Sequence, residues 1–112
     1  MALNKLERIL EEFRKLDPEM PMQTAMTLLF VAQNQDAQDG VSIKMVAEAL
    51  GISSAAASRN VSRLSKVGVK QQLGHGLVET FEDPLFRVRK CVKLTPKGRR
   101  VIQSIVEVLN DN

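Results

Sequence analysis

The sequence predicts a mainly α-helical protein that carries one small β-hairpin. Five segments repeat apolar residues at the spacing of an amphipathic or buried helix. One later segment, residues 87–94, alternates apolar and polar residues instead, which is the pattern of a strand. With 112 residues, 44% hydrophobic residues and no internal repeat, the chain is expected to form a single domain, residues 1–112.

Residues 2–16 are predicted to form an amphipathic helix that ends at Asp17-Pro18, because proline disfavours a helical residue before it. A lone helix of this length is marginal in water, so its apolar side must be buried. The spacing leaves two covers open, the chain's own core or a copy of the helix in a second subunit. The apolar stripe consists of Leu3, Leu6, Leu10, Phe13 and Leu16.

Residues 22–33 are apolar on nearly every side, which predicts a helix at the centre of the domain. A polar loop, residues 34–40, leads from this helix to two short helices that meet at a tight corner. Ser42 is placed to cap the first of them, and Gly51 to end it in the left-handed conformation. Ser53 is placed to cap the second. This arrangement predicts a helix-turn-helix over residues 42–67, whose second helix enters the major groove of DNA.

The second helix of the pair has two different faces. The face at core-facing spacing carries Ala57, Asn60, Val61 and Leu64. The other face has cations and short polar side chains but no acid: Ser54, Ala55, Ser58, Arg59, Ser62, Arg63 and Lys66. A solubilising face usually mixes both signs, so a face of one sign favours a polyanion as its partner. A solvated helical hairpin is the alternative interpretation.

Charge is distributed unevenly along the chain. Residues 1–50 carry five basic and eight acidic side chains, a net charge of −3, whereas residues 51–112 carry eleven and five, a net charge of +6. The basic half begins where the predicted recognition helix begins. A one-sided positive field of this kind steers a protein toward phosphates.

After Gly68 the pattern predicts a β-hairpin, residues 69–94. Residues 69–73 are expected to form a short strand, Gly74-His75-Gly76 a turn, residues 77–81 a further strand and residues 82–84 a polar turn. A hairpin directly after a recognition helix is a wing, whose basic face would contact phosphates or the minor groove.

The strand predicted over residues 87–94 has an apolar and a basic side. Lys90 interrupts the apolar side, which predicts a bulge or an edge position. The apolar side carries Val88, Val92 and Leu94, and the other side carries Arg87, Arg89, Cys91 and Lys93. A final helix, residues 96–110, follows with Thr95 as its cap and Pro96 at its first position. Its stripe, which again needs a cover, consists of Val101, Ile102, Ile105, Val106 and Leu109.

This order of elements resembles the MarR-type winged-helix transcriptional regulators. The most specific similarity lies in residues 42–68, through Ser42, Val46-Ala47, Leu50-Gly51-Ile52-Ser53, Ser58-Arg59, Val61, Arg63-Leu64 and Gly68. It resumes at Leu94-Thr95-Pro96-Lys97-Gly98, which matches the family's Leu-Thr-x-x-Gly after the wing. The resemblance implies a homodimer that binds a pseudo-palindromic site, mostly as a repressor. The implied dimerisation residues are Leu3, Leu6, Leu10, Phe13, Val101, Ile102, Ile105 and Leu109.

Three features differ from the family pattern. The family's wing-tip Asp-x-Arg falls at Phe86-Arg87-Val88, so Arg87 or Arg89 becomes the candidate for its DNA contact. The stretch from Gly68 to the wing tip is longer than is typical, which predicts an extended or distorted wing. One helix follows the wing where typical members continue with another, which predicts a smaller dimer interface and ligand pocket.

The predicted DNA-contacting residues fall into two groups. Those facing base edges or flanking phosphates are Ser54, Ala55, Ser58, Arg59 and Arg63. The phosphate and wing candidates are Ser53, Ser62, Lys66, Lys70, Arg87, Arg89, Lys90 and Lys93. Arg59 is the candidate for a bidentate guanine contact.

Composition argues against several other classes of function. His75 and Cys91 are the only histidine and cysteine, so neither has a companion at metal-ligand spacing. No Ser/His/Asp set or Gly-rich phosphate loop is present, so we expect neither an enzyme nor a cofactor. His75 is expected in an exposed loop, with a phosphate contact as the alternative. Cys91 is expected to be inert, with redox sensing, favoured by nearby cations, as the alternative.

The sequence therefore predicts a cytoplasmic, homodimeric repressor of bacterial, phage or archaeal type that binds double-stranded DNA. No membrane span or export signal is expected, and any small-molecule effector stays unknown. One alternative is a phage or plasmid replication, partition or architectural factor that binds arrays of sites. Another is a winged-helix module that binds protein instead of DNA.

Overall fold

The computed structural model describes residues 2–35, 40–66, 73–83, 85 and 89–111. The described residues form five helices and three strands. In chain order these are α1 (Ala2–Leu16), α2 (Met22–Gln33), β1 (Val41–Ser42), α3 (Ile43–Leu50), α4 (Ser54–Leu64), β2 (Val78–Glu82), β3 (Lys90–Leu94) and α5 (Pro96–Asn110). The mainly helical fold with a small hairpin is confirmed. The strand predicted over residues 69–73 lies almost entirely outside the described residues.

The sheet is antiparallel, with β3 in the middle and strand order β1-β3-β2. The predicted hairpin corresponds to β2 and β3, which pair without interruption from Val78 opposite Leu94 to Glu82 opposite Lys90. The bulge predicted at Lys90 is therefore wrong. The alternative, an edge position, is not contradicted, because β1 pairs only with Cys91 and Val92 and ends before Lys90. The sequence did not predict β1, because two residues are too few to produce an alternating pattern.

Because β1 has only two residues, a backbone N–H group of β3 beyond its end forms a hydrogen bond with a side chain instead of with a strand. The Leu94 N–H, just beyond the last β1 pair, donates to Gln35 Oε1 at 3.1 Å. The Gln35 amide nitrogen donates to the carbonyl oxygen of Val31 at 2.8 Å. Gln35 thus fastens the C-terminal end of α2 to the sheet.

The hydrophobic core lies between α2, the helix-turn-helix and the sheet. Leu28 and Val31 of α2 are fully buried, as the composition of this helix predicted. They pack in one cluster with Val46 of α3, Leu64 of α4 and Val92 of β3. The core therefore supports α4 from the side opposite its cationic face.

The predicted helix caps are present. The Ser42, Ser53 and Thr95 hydroxyl oxygens accept hydrogen bonds from the first-turn amides of α3, α4 and α5 at 3.0–3.1 Å. Gly51 ends α3 with φ +66°, in the left-handed region where a side chain is strained. Local chain chemistry therefore sets the limits of these helices.

Helices α1 and α5 pack against each other in antiparallel directions. Arg8 pairs with Asp111 at 3.0 Å, and Lys5 Nζ donates to the carbonyl oxygen of Leu109 at 3.1 Å. The two predicted stripes divide between core and surface. Phe13 and Ile105 are buried in the chain's own core. The exposed apolar side chains of these helices are Leu3, Leu6, Leu10, Val106 and Leu109.

Gly98 allows α5 to approach the segment that precedes β2. A Cβ at this position would collide with the Leu77 carbonyl oxygen and lie 3.3 Å from Leu94 Cδ2. An unobstructed Gly→Ala change within a helix normally stabilises by about 0.5–1 kcal/mol. At Gly98 we expect the opposite sign, because backbone must move.

We predict that Gly98→Ala lowers the free energy of unfolding by about 1–3 kcal/mol, the cost of overpacking a well-packed site. Urea denaturation followed by circular dichroism measures this change. Gln103→Ala, at an exposed position of the same helix, serves as the control and should stay within about 0.5 kcal/mol. A stabilised Gly98→Ala variant would contradict the proposed close approach.

Candidate nucleic-acid interface

Helix α4 is buried along one side, as its spacing predicted. Ala57, Asn60, Val61 and Leu64 have exposed fractions of 0%, 4%, 2% and 0%. Because these positions follow the helical repeat, the remaining residues are turned toward solvent. The opposite side of α4 is therefore the candidate interface.

Positive charge is exposed on α4 and directly after its C-terminal end. Arg59, Arg63 and Lys66 are exposed, and none forms an ion pair with any residue that the structure describes. Around them lie short side chains, which leave room for a close approach. Ser53, Ser54, Ala55 and Ser58 are exposed, and Ser62 is half-buried.

The C-terminal end of α4 is closed by backbone, not by solvent. The amides of residues 74–77 donate to the carbonyl oxygens of residues 63–66 at N···O distances between 2.7 and 3.1 Å. Arg63 and Leu64 belong to the last turn of α4, whose carbonyl groups a helix end leaves unpaired, and residues 65 and 66 follow it directly. Gly74 permits the approach, because a Cβ there would collide with the Ser65 carbonyl oxygen. The segment Gly74-His75-Gly76 that the sequence marked as a turn thus fastens the helix.

A buried polar contact joins α4 to α2. Thr24 Oγ1 donates to Asn60 Oδ1 at 2.9 Å, and Asn60 Nδ2 donates to Gln23 Oε1 at 3.5 Å. Thr24 is fully buried and Asn60 nearly so. The sequence placed Asn60 on the buried side but carried no signal for its partner on α2.

A groove of about 530 Å³ separates α4 from the hairpin. Its walls are rich in hydroxyl groups, and Lys66 and Lys90 both line it. One acid, Glu79, lies there as well. The lining hydroxyl residues are Ser58, Ser62, Ser65, Thr80 and Thr95. This groove offers an anion both cations and hydrogen-bond donors.

The cations of the hairpin differ in how far they are neutralised. Lys93 Nζ lies 3.5 Å from Glu79 Oε1 and 5.4 Å from the centre of the Phe81 ring. Lys90 is exposed, and its backbone lies opposite Glu82 in the register of the two strands. Lys70 and Arg87 lie outside the described residues.

Arg89 is held within the protein. Its guanidinium lies 3.4 Å from the buried Asp83 carboxylate and 3.5 Å from Met45 Sδ on α3. Asp83 also accepts from the Leu85 amide at 2.8 Å, and its own amide donates to the Arg89 carbonyl oxygen at 2.9 Å. The sequence marked Asp83 only as part of a polar turn. The contacts between Asp83 and Arg89 close the loop end of the hairpin, and the contact between Arg89 and Met45 joins that end to α3.

The prediction that Cys91 lies on the exposed basic side of the strand is wrong. Cys91 is fully buried, and so is its neighbour Val92, whose side chain points to the opposite face of the sheet, so both faces of β3 are covered there. It lies opposite Phe81 in β2 and Ser42 in β1. A buried thiol is shielded from oxidants in solution, which removes the basis for the redox alternative.

His75 does not lie in an exposed loop, so that expectation is wrong. Its side chain is 20% exposed, and its Nε2 lies 3.4 Å from Asp17 Oδ2. Its carbonyl oxygen accepts from Lys97 Nζ at 2.9 Å. His75 thus connects the end of α1 with the start of α5.

Within the described parts of the chain, no group of three His, Cys, Asp or Glu side chains is arranged to hold a metal ion. A search of the same residues found no helix with the length and apolarity needed to cross a membrane.

Comparison with solved structures identifies the fold. A complex of Staphylococcus aureus MepR with DNA superposes with a TM-score of 0.71 at 20% sequence identity, covering 97% of this chain and 76% of MepR. A structure of MepR, described as a transcription regulator of the Staphylococcus aureus multidrug efflux pump MepA, superposes with a TM-score of 0.70 at 18% identity. The match covers 97% of this chain and 70% of that MepR chain. Rv1404 from Mycobacterium tuberculosis superposes with a TM-score of 0.71 at 19% identity, and the match covers 96% of this chain and 65% of Rv1404.

No protein-family model and no curated protein matches the sequence. The likeness therefore lies in three-dimensional structure, and it extends over nearly the whole chain. The helix-turn-helix, the hairpin and the two packed terminal helices are all included in it. The chain has the winged-helix fold of the MarR-type regulators, as the resemblance of residues 42–68 and 94–98 predicted.

Proposed function

We propose that this protein binds double-stranded DNA sequence-specifically through α4 and regulates transcription as a homodimeric repressor. One observation carries the proposal: Arg59 and Arg63 are exposed on α4, Lys66 is exposed just beyond its end, and none of the three has an acidic partner among the residues that the structure describes. Like charges on one helix face repel each other, so the arrangement costs stability unless an anion is bound. A DNA duplex supplies phosphates at the required density.

The side chains of α4 suit the major groove. Arg59 and Arg63 are long enough to reach base edges, and a bidentate arginine contact distinguishes guanine from the other bases. Ser54, Ala55 and Ser58 near the start of the helix are small enough to let the backbone come close. We therefore assign base contacts to this part of α4.

Phosphate contacts are assigned to the margins of the same surface. Lys66 and Lys90 line the groove between α4 and the hairpin, where a phosphate group would meet both cations. Lys93 retains an exposed ammonium despite its contact with Glu79. Arg89 is assigned to holding the hairpin on α3. Further phosphate contacts are proposed for Ser53, Ser62, Lys70 and Arg87.

The structural relatives support this assignment. MepR is described as a transcription regulator and forms a complex with DNA. The fold shared with MepR extends over 97% of this chain, which supports duplex DNA as its partner as well. Repression is proposed from the family resemblance of the sequence.

The homodimer is proposed from the apolar surface of the terminal helices. Leu3, Leu6 and Leu10 are 65%, 51% and 55% exposed on one side of α1, and Leu109 is 54% exposed on α5. Contiguous apolar surface of this kind marks a protein interface more often than a free surface. A two-fold arrangement would bury these leucines and place two α4 helices for two half-sites.

The DNA assignment is tested with fluorescently labelled duplexes at two salt concentrations, one duplex selected from a random library and one of shuffled sequence. Arg59→Ala should reduce the preference for the selected duplex by about 1–3 kcal/mol. Lys66→Ala should weaken both duplexes about equally and reduce the slope of log affinity against log salt by about 1. Arg99→Ala, an exposed arginine on α5, is the charge-matched control and should change neither quantity.

Equal losses for Arg59→Ala and Lys66→Ala on both duplexes would contradict the division between base and phosphate contacts. A wild-type protein whose DNA affinity is small and indifferent to salt would favour a protein-binding module instead. A footprint of one dyad is expected for the regulator, whereas a phased ladder of protected sites would favour an array-forming replication or partition factor.

The dimer is tested by sedimentation. The double variant Leu6→Glu, Leu10→Glu places two carboxylates in the proposed interface, where burying unpaired charge is costly, and it should sediment as a monomer. Leu85→Glu is the control, because Leu85 is 77% exposed near the hairpin and far from α1 in sequence. Sedimentation of the double variant as a dimer would contradict an interface on α1.

A further inference from the structure

The contact between Thr24 and Asn60 is a hydrogen bond within the otherwise apolar buried side of α4. The other buried side chains of this helix are Ala57, Val61 and Leu64. Hydrophobic contacts are non-directional, so they resist separation of two helices more than rotation of one against the other. A hydrogen bond between two buried groups is directional, because it weakens steeply when its geometry is lost.

Losing this contact by rotation would leave polar groups unsatisfied in the core. Thr24 is 0% exposed and Asn60 is 4% exposed, so water cannot replace the missing partner without entering the interface. A buried amide or hydroxyl without a hydrogen bond is disfavoured by a few kcal/mol in general. The 2.9 Å contact therefore selects one rotational setting of α4 among those that its apolar side would allow.

That setting determines where the proposed base-reading side chains point. Asn60 directly follows Arg59, and both line a cavity of about 380 Å³ together with Arg63 and Gln23. A helix surface lies about 6 Å from its axis, so a rotation of about 20° moves a side chain by about 2 Å. Such a displacement exceeds the tolerance of a hydrogen bond, whose length varies over about half an ångström.

We propose that Asn60 and Thr24 form a positioning pair, which sets the rotation of α4 and thereby the sequence preference of DNA binding. The pair does not touch DNA and acts through Arg59 and Arg63. This inference rests on the proposed function. It extends that function by assigning specificity to residues behind the recognition surface, where burial alone would suggest a packing role.

The test compares two identical substitutions on one helix. Thr24→Val removes the hydroxyl that bonds to α4 and keeps the shape of the side chain. Thr27→Val is the matched control, since Thr27 is equally buried but donates to the Gln23 carbonyl oxygen of its own helix at 2.8 Å. Affinity is measured for the selected and the shuffled duplex, at a temperature below the unfolding transition of each variant.

Thr24→Val should reduce the ratio of selected to shuffled affinity about tenfold, the scale of one specific base contact. The affinity for the shuffled duplex and its salt dependence should stay unchanged, because the cations remain exposed. Thr27→Val should keep the wild-type ratio. Thr24→Ser restores the hydroxyl and should recover most of the lost preference, which a role in packing alone would not produce.

A second variant guards against loss of folding. Thr24→Val combined with Asn60→Leu replaces both polar partners by apolar groups, which leaves nothing unsatisfied and is often neutral for stability. It too should lose sequence preference. A wild-type ratio in this folded double variant and in Thr24→Val would overturn the inference while leaving the proposed function intact. A wild-type protein without any preference would overturn the proposed function, and this inference with it.

Discussion

Helix α4 can be buried on only one side, and the rest of the structure follows from that constraint. Its buried residues, Ala57, Asn60, Val61 and Leu64, occupy a single stripe, and the helix packs against α2 and α3. Burying that stripe requires Arg59 and Arg63 to face solvent together. The hydrophobic effect thus places like charges side by side, although their mutual repulsion opposes it.

Hydrogen bonds fix both ends of α4, in addition to the packing of its buried side. Ser53 caps the first turn, and the amides of residues 74–77 donate to the carbonyl oxygens of residues 63–66, at the last turn and just beyond it. Leu77 also connects α4 to α5, because its amide donates to Leu64 and its carbonyl oxygen accepts from Thr95 at 3.0 Å. Gly98 packs directly on the same carbonyl group. The position of α4 is therefore linked through one residue to the helix proposed to dimerise.

Local chemistry accounts for the features that could be predicted from sequence. The helices, their serine and threonine caps and the buried side of α4 depend on residues within a few positions of each other. The features that escaped prediction depend on distant partners: Gln35 meets Leu94 across 59 positions, and Thr24 meets Asn60 across 36. The burial of Cys91 likewise depends on β1, a strand of two residues without a pattern of its own. Sequence spacing identified the faces of each element but not the partner on the other side.

The most direct measurement of the central claim is an NMR titration of the isotopically labelled protein with duplex DNA. The account predicts that the largest backbone amide shifts fall within residues 53–66, with smaller shifts around Lys90 and Lys93. Because α1 packs on α5 and contributes no residue to the groove between α4 and the hairpin, its amides should change little. Shifts concentrated in α1 and α5, with residues 53–66 unaffected, would contradict the assignment of α4 as the DNA-binding helix.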